Sequence, residues 1–342
     1  MPGSARSVMS GPIAPWSDAS FDGANRCTGK GYHGAPPGAI WFTDVANGPG
    51  MGGDGRRFGL AMTLQRQDAQ CDVGPAGSAH PPARLFLLLA AERSGTHLFR
   101  SILTANRAAF APGEVANAAA SGDAESDTNF FAFCRERLLD EPRLFVPSQP
   151  HTRQLLDAYF GHFRARAASL GRSAAVCDIK YGHVINFSGG WWDMISAPYL
   201  LEWARQSDVG IIHLVRRNVA QTCISNLYAQ HTGVWRTRNP TELAVMPMQV
   251  ARRRLEADIG RMTRVIDLFR GWVKPCRHCE IHYEDLLDGL SPSWRALRGF
   301  LGHPLDRIAS DFLKTTPAYE EIIENHGEIA DLLEVELPAQ AS

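Results

Sequence analysis

The sequence predicts an α/β fold in three layers, a central parallel sheet with helices on both faces, and three observations predict it. Short apolar runs of strand length recur at 84–89, 174–180, 209–215 and 279–283. Segments with helical period lie between them, the longest at 248–272. The first run passes into a helix through a turn made of basic and hydroxyl residues. Strands buried on both faces read as continuous apolar runs, and parallel neighbours need helical crossovers between them.

Taken in order, residues 1–80 are rich in Gly, Pro, Ala and Ser and show no sustained period. They read as a mostly disordered extension, with the ordered domain expected over 81–338. Arg84-Leu85-Phe86-Leu87-Leu88-Leu89 follows two prolines and has the length of a buried strand. A helix is expected over 96–104 and another over 151–170. Ala174–Lys180 reads as the second strand, 199–206 as a helix, and Val209–Val215 as the third strand. Residues 218–230 read as a helix. Met248–Trp272 is a long amphipathic helix with Val250, Leu255, Ile259, Met262, Ile266 and Phe269 on its apolar side. Cys279–Tyr283 is the fourth strand, and helices follow at 294–301 and 317–333.

With 342 residues, 44% of them hydrophobic and 21% charged, the chain buries a core that needs no disulfide or metal staple. A net charge of −1 supplies no global field toward nucleic acid or an anionic membrane, so neither is expected as a partner. No apolar run has the length of a membrane span, and the N-terminus has no basic stretch followed by an apolar core. The seven cysteines are scattered and odd in number, which fits free thiols in a reducing compartment. The expectation is a cytoplasmic protein without stable membrane insertion. Cys276-Arg277-His278-Cys279, with His282 nearby, has a zinc-like spacing. It overlaps the start of a strand, where alternate side chains face opposite ways, so no metal is expected.

Ala91-Glu92-Arg93-Ser94-Gly95-Thr96-His97 joins the first strand to its helix. Unpaired N–H groups and the positive end of the helix dipole meet at such a turn and favour an anion. Gly95 permits close backbone approach, Ser94 and Thr96 add hydroxyl donors, and Arg93 adds a fixed cationic fork. The turn lacks the first glycine and the lysine of a Walker A motif. The same residues also read as an ordinary helix start capped by Ser94 or Thr96. A second basic group, Arg216-Arg217-Asn218, ends the third strand, where doubly wound sheets bind ligands. Ser225 follows Arg217 by eight residues, about two helical turns, so the pair has the spacing to grip a phosphate. Surface ion pairs for both arginines are the plainer alternative.

Together these segments resemble the sulfotransferase superfamily that uses 3′-phosphoadenosine 5′-phosphosulfate. That family pairs a [KR]-S-G-[ST]-[ST] loop for the 5′-phosphosulfate with an Arg, and a Ser eight residues on, for the 3′-phosphate. The resemblance is closest to the bacterial trehalose-sulfotransferase and nodulation-factor-sulfotransferase group. It runs through Val219-Ala220-Gln221, Gln230-His231-Thr232-Gly233-Val234-Trp235, His282-Tyr283-Glu284-Asp285-Leu286-Leu287, Phe300-Leu301-Gly302 and Ile323-Glu324-Asn325-His326-Gly327-Glu328. It covers about 84–335. His97 departs from the usual small hydroxyl residue, and Glu92 is an unexpected carboxylate beside an anion site.

The resemblance implies a three-layer P-loop-type fold, a homodimer, and transfer of a sulfuryl group from 3′-phosphoadenosine 5′-phosphosulfate to a hydroxyl of a carbohydrate or glycolipid. Arg93, Ser94, Gly95, Thr96 and His97 would hold the 5′ end of the donor, and Arg217, Ser225 and Lys314 the 3′-phosphate. The donor has no polyphosphate to clamp, so no metal is required. The resemblance sets the catalytic carboxylate in the loop after the first helix, at Glu114. Lys180 and His183, just past the second strand, would bind the sulfuryl group or the acceptor. Trp191, Trp192 and Trp235 lie in loops and offer faces on which a sugar ring stacks, or else pack internally. Two other readings compete: a P-loop nucleotide or sugar kinase, which would need Mg²⁺, and a non-catalytic nucleotide-binding protein on the same fold.

Overall fold

The computed structural model describes residues 83–117, 128–193, 195–237, 239, 241, 245–286, 288, 291–308 and 314–337. The extension expected over 1–80 lies outside the described residues. Four strands, β1 (Arg84–Ala90), β2 (Ala174–Lys180), β3 (Gly210–Val215) and β4 (His278–His282), form one sheet in the order β2-β1-β3-β4. Every pairing is parallel. β2 and β3 are buried along their whole length, as apolar runs with helices on both sides must be.

Alternation along the strands sorts the core into two layers. Leu85, Leu87 and Leu89 share one face with Ala175, Cys177, Ile179 and Ile211. Against it pack α3 (Gln149–Ser169), α4 (Tyr199–Gln206), α5 (Val219–Thr232) and α6 (Arg252–Val273). Phe86, Leu88 and Ala90 face the other way with Val176, Ile212 and Leu214, under α1 (Thr96–Ala105) and α7 (Pro292–Leu301). The three layers and the parallel sheet are those the apolar runs predict.

Helix starts follow local chemistry. Asn218 caps α5 by accepting from the Gln221 amide, Ser148 caps α3 and Ser291 caps α7. α1 is different. Its N-cap is Gly95 in the left-handed region, with no side-chain cap and no acidic residue in the first turn. The positive end of this helix is left for something else.

Three expectations about helices are corrected. A helix that period reading does not find, α2 (Phe130–Asp140), starts on Asn129, whose side chain accepts from Phe131 and Ala132. Its sequence has no clean apolar stripe, and only Phe130 and Ala132 are buried. The single helix expected over 317–333 is two, α8 (Tyr319–Ile322) and α9 (His326–Leu333). The break comes from long-range pairing. The Met248 amide donates to Ile322 O at 2.8 Å, and Glu324 N donates to Met248 O at 3.1 Å. The Asn325 side chain accepts from Val250 N at 3.0 Å and donates to Val250 O at 2.9 Å. The same bonds hold Met248–Val250 extended, so α6 begins at Arg252 rather than Met248.

Gly210 sits directly beside Phe86 in the β1–β3 register, and a Cβ there would stand 2.5 Å from the Phe86 ring. Gly210→Ala is therefore expected to cost about 1–3 kcal/mol by overpacking, read as a lower urea midpoint with an unchanged m-value.

Candidate active site

β1 ends in the buried Ala90 and Ala91, and the chain turns into α1 through two left-handed residues, Arg93 at φ 62° and Gly95 at φ 90°. A Cβ on Gly95 would lie 2.2 Å from Cδ2 of Tyr283, which follows β4. Only glycine satisfies both the dihedral and the ring above it. The turn opens on a cleft of about 700 Å³, lined by residues from all four strand ends and from the segment 314–319. The strand C-termini and a helix N-terminus meet there, as the ligand rule for open α/β sheets requires.

One half of the cleft is built for anions. Arg93 bends across it, donating from Nε to Ser225 Oγ at 3.0 Å and from Nη2 to Thr315 Oγ1 at 2.6 Å. Its Nη1 donates to the carbonyl of Trp235. Ser225 Oγ in turn meets Thr316 Oγ1 at 2.9 Å. Arg216 lies over the Tyr283 ring, its Cζ 4.8 Å from the centroid, and donates to Gln221 Oε1 at 2.6 Å. Its buried Nε has no hydrogen-bond partner among the described residues. Burial, then repulsion from Arg216, lowers the Arg93 pKa. An anion between the two guanidiniums would relieve both effects. Lys314 stands exposed at the rim of the same half.

The expected partner of Ser225, Arg217, is not in the cleft lining. Its Nη2 donates to both carboxylate oxygens of Asp285 at 2.7 Å, and its backbone N–H donates to Glu284. Side chains alternate at a strand end. Ile212 and Leu214 face α1, so Arg216 continues that side and Arg217 turns from it. The eight-residue spacing finds the turn but not the arginine that faces the cleft.

The other half gathers Thr96, His97, Glu114, Lys180 and His183. Lys180 is only 2% exposed, and its Nζ donates to Thr96 Oγ1 at 2.8 Å and to Asp178 Oδ1 at 2.6 Å. Glu114 Oε1 is 3.5 Å from the same nitrogen, with the side chain 25% exposed. The Glu114 loop is pinned to β2 by a bond from Val115 N to Asp178 O at 3.1 Å. The ring Nδ1 of His183 is buried without a hydrogen-bond partner among the described residues. His97, in the first turn of α1, is held down to about 4, by burial first and then by the positive charges of Arg100 and Lys180. It is neutral at physiological pH. Ser94 is buried beneath the turn, and Glu92 is exposed at the cleft rim.

Of the three tryptophans, only Trp235 lines the cleft, 46% exposed. Trp191 and Trp192 pack edge to face at 5.1 Å and both contact Tyr199. Their ring nitrogens donate to Thr152 Oγ1 and Ala197 O, each at 2.8 Å. Both rings are half-buried against Tyr199 and stand outside the cleft lining, away from where the acceptor-platform expectation puts them. Cys276 and Cys279 are buried free thiols, and the described residues gather no group of three or more metal ligands. Sequence reasoning passes over Thr315, Thr316, Tyr283 and Asp178 as site residues. Asp178 alone had a signal, since it lies two positions before Lys180 on one strand face.

The fold and cleft define an α/β enzyme that presents an uncapped helix N-terminus and clustered cations to a multiply charged ligand. The profile of the sulfotransferase family matches residues 86–307, and the chain belongs to that family. It is an enzyme that takes its sulfuryl group from 3′-phosphoadenosine 5′-phosphosulfate. Among solved structures, a sulfotransferase domain from the curacin biosynthetic pathway is 16% identical, over 77% of this chain and 95% of that one, with a TM-score of 0.37. A sulfotransferase from Alicyclobacillus acidocaldarius is 15% identical over 75% and 93%, with a TM-score of 0.34. Retinol dehydratase, in complex with androsterone and the inactive cofactor PAP, is 12% identical over 76% and 73%, with a TM-score of 0.29. No curated protein matches the sequence. No described helix is long and apolar enough to cross a membrane.

The depressed His97 gives a signed pH dependence. The unfolded chain takes up this proton near 6.5 and the folded chain only near 4, so stability is full above 6.5 and falls as pH drops toward 4. His97→Gln is expected to flatten part of the loss between urea unfolding at pH 7.5 and at pH 5. Buried His213, whose pKa is lowered by burial, keeps the remainder.

Proposed function

We propose that this enzyme sulfates a hydroxyl of a carbohydrate or glycolipid, with Glu114 taking the hydroxyl proton. The observation that carries the reading is the division of one cleft. Arg93, Arg216, Ser225, Thr315 and Lys314 stand on one side of the α1 N-terminus, and Thr96, Lys180 and Glu114 on the other. The donor has a phosphate at each end of its ribose and the sulfuryl group beyond the 5′-phosphate, so it needs two anion sites and a separate reacting centre. The first half supplies donors for the 3′-phosphate, with Arg216 in the role that the eight-residue spacing gave to Arg217. The helix N–H groups and Thr96 face the 5′-phosphate and sulfuryl oxygens.

The chemistry is positioning and charge stabilisation. Negative charge grows on the 5′-phosphate oxygen as the sulfur–oxygen bond lengthens, and the N–H groups at the positive end of α1 neutralise it. Lys180 and Thr96 hold the sulfuryl oxygens in line with the acceptor. Glu114 is the half-buried carboxylate beside Lys180, and at 3.5 Å it is not committed to a short hydrogen bond with it. It is free to receive the acceptor proton as the new oxygen–sulfur bond forms. Asn117, His183 and Arg236 line the cleft with this half, and Trp235, whose carbonyl accepts from Arg93, lines it from the anion side. They offer hydrogen-bonding groups and one aromatic face, a lining suited to a polyol. The five described cysteines are all free, in keeping with the cytoplasm as the site of action.

Calorimetry with 3′-phosphoadenosine 5′-phosphate in metal-free buffer tests the donor site. Micromolar binding is expected, weakened about 10-fold or more in Arg216→Ala and less in Arg217→Ala. Binding of ATP with Mg²⁺ instead would favour the kinase reading. Once a sugar acceptor is found by screening, Glu114→Gln should lower kcat about 100-fold or more with little change in the donor Kd.

A further inference from the structure

We infer that Asp178 is a positioning residue for sulfuryl transfer, fixing the Lys180 ammonium against Thr96 so that its remaining N–H faces the cleft. The inference rests on the reading of Lys180 as part of the reacting centre.

Asp178 and Lys180 lie two residues apart on β2, so both side chains project to the α1 side of the sheet. Asp178 is fully buried and Lys180 nearly so. A buried ammonium is expensive unless paired, and a lysine carries four rotatable bonds that leave its charge unplaced. The 2.6 Å bond to Asp178 answers both problems. Lys180 has three N–H donors. One goes to Asp178 and one to Thr96, leaving a third on the side where Glu114 stands at 3.5 Å. Thr96 already accepts from Lys180, so its own O–H stays available to donate to a ligand oxygen.

The rest of Asp178 is committed to the same centre. Its second oxygen, Oδ2, has no hydrogen-bond partner among the described residues and lies 3.9 Å from Arg100 Nη1, on the helix that begins at Thr96. Its carbonyl accepts from Val115 N and so holds the loop that presents Glu114. One residue thus registers the cation, the base and the helix start to one another. Asp178 does not line the cleft, so its carboxylate acts on a bound ligand through the Lys180 ammonium it holds.

The test compares affinity for 3′-phosphoadenosine 5′-phosphosulfate with affinity for 3′-phosphoadenosine 5′-phosphate, which lacks only the sulfuryl group. It uses the full-length protein and needs no acceptor. Lys180→Gln and Asp178→Asn should each weaken the sulfated ligand about 10-fold and leave the desulfated one within about 2-fold. The double variant should be no worse than Lys180→Gln alone, because the two side chains act as one unit. If Asp178→Asn does not fold, Asp178→Glu carries the same expectation, since it keeps the charge pair and displaces the ammonium. Unchanged discrimination in the Asp178 variants beside a loss in Lys180→Gln would overturn the inference and leave the proposed function standing. So would losses that add, or equal weakening of both ligands, which mark a purely structural role. No effect of Lys180→Gln on either ligand would remove Lys180 from the reacting centre and the inference with it.

Discussion

The cleft depends on one constraint, the passage from β1 into α1 through a turn with no room for a Cβ. Gly95 takes a left-handed dihedral directly beneath the Tyr283 ring. Because the turn is that tight, α1 starts close to the C-terminal ends of the strands with no side-chain cap, and its N-terminus points at the mouth formed by the other strand ends. A longer turn or a capped helix would satisfy the same backbone groups locally and leave no attraction for an anion. Tyr283 serves twice. It closes over the glycine, and its other contact is the guanidinium of Arg216. Turn and cationic wall are therefore held by the same ring.

Around that turn the molecule separates two electrostatic tasks. On one side, Arg93 and Arg216 are partly desolvated and repel each other, a state that favours the arrival of negative charge. On the other, Lys180 is neutralised at short range by Asp178, and Glu114 remains accessible nearby. Were Lys180 unpaired it would compete with the first half for the donor phosphates. Were Glu114 its only partner, the carboxylate would be tied up in a close ion pair. Dividing the pairing between two carboxylates, one fully buried and one half-buried, avoids both outcomes.

The β3–β4 side carries a second buried polar group that steadies the frame. His213 is fully buried, meeting Tyr181 OH at 2.6 Å and Glu280 at 3.0 Å, while Arg270 donates to both oxygens of Glu280. Tyr181 directly follows Lys180, and His213 stands three residues before Arg216. The network ties together the two strand ends that supply the two halves of the cleft. Its members are paired by hydrogen bonds, as buried ionisable groups must be to remain at low cost.

The sequence by itself determined the architecture and brought most of the expected residues to one cleft. Four apolar runs and their helices are local properties, readable because burial on both faces keeps most of each strand apolar. Arg93, Gly95, Thr96, His97, Glu114, Lys180, His183, Ser225, Lys314 and Trp235 all line one cleft, most of them near a strand end or in the loops beyond it. The tertiary structure decided what depends on facing and on distance in the chain. Arg216, not Arg217, turns to the cleft because the strand's alternation is set by the core beneath it. Trp191 and Trp192 pack inward because Tyr199 and Thr152 meet them there. Thr316 joins Ser225 across about ninety residues, Thr315 meets Arg93 across more than two hundred, and Met248 breaks a helix more than seventy residues on. Such contacts are selected by packing of the whole sheet and leave no trace in local period or spacing.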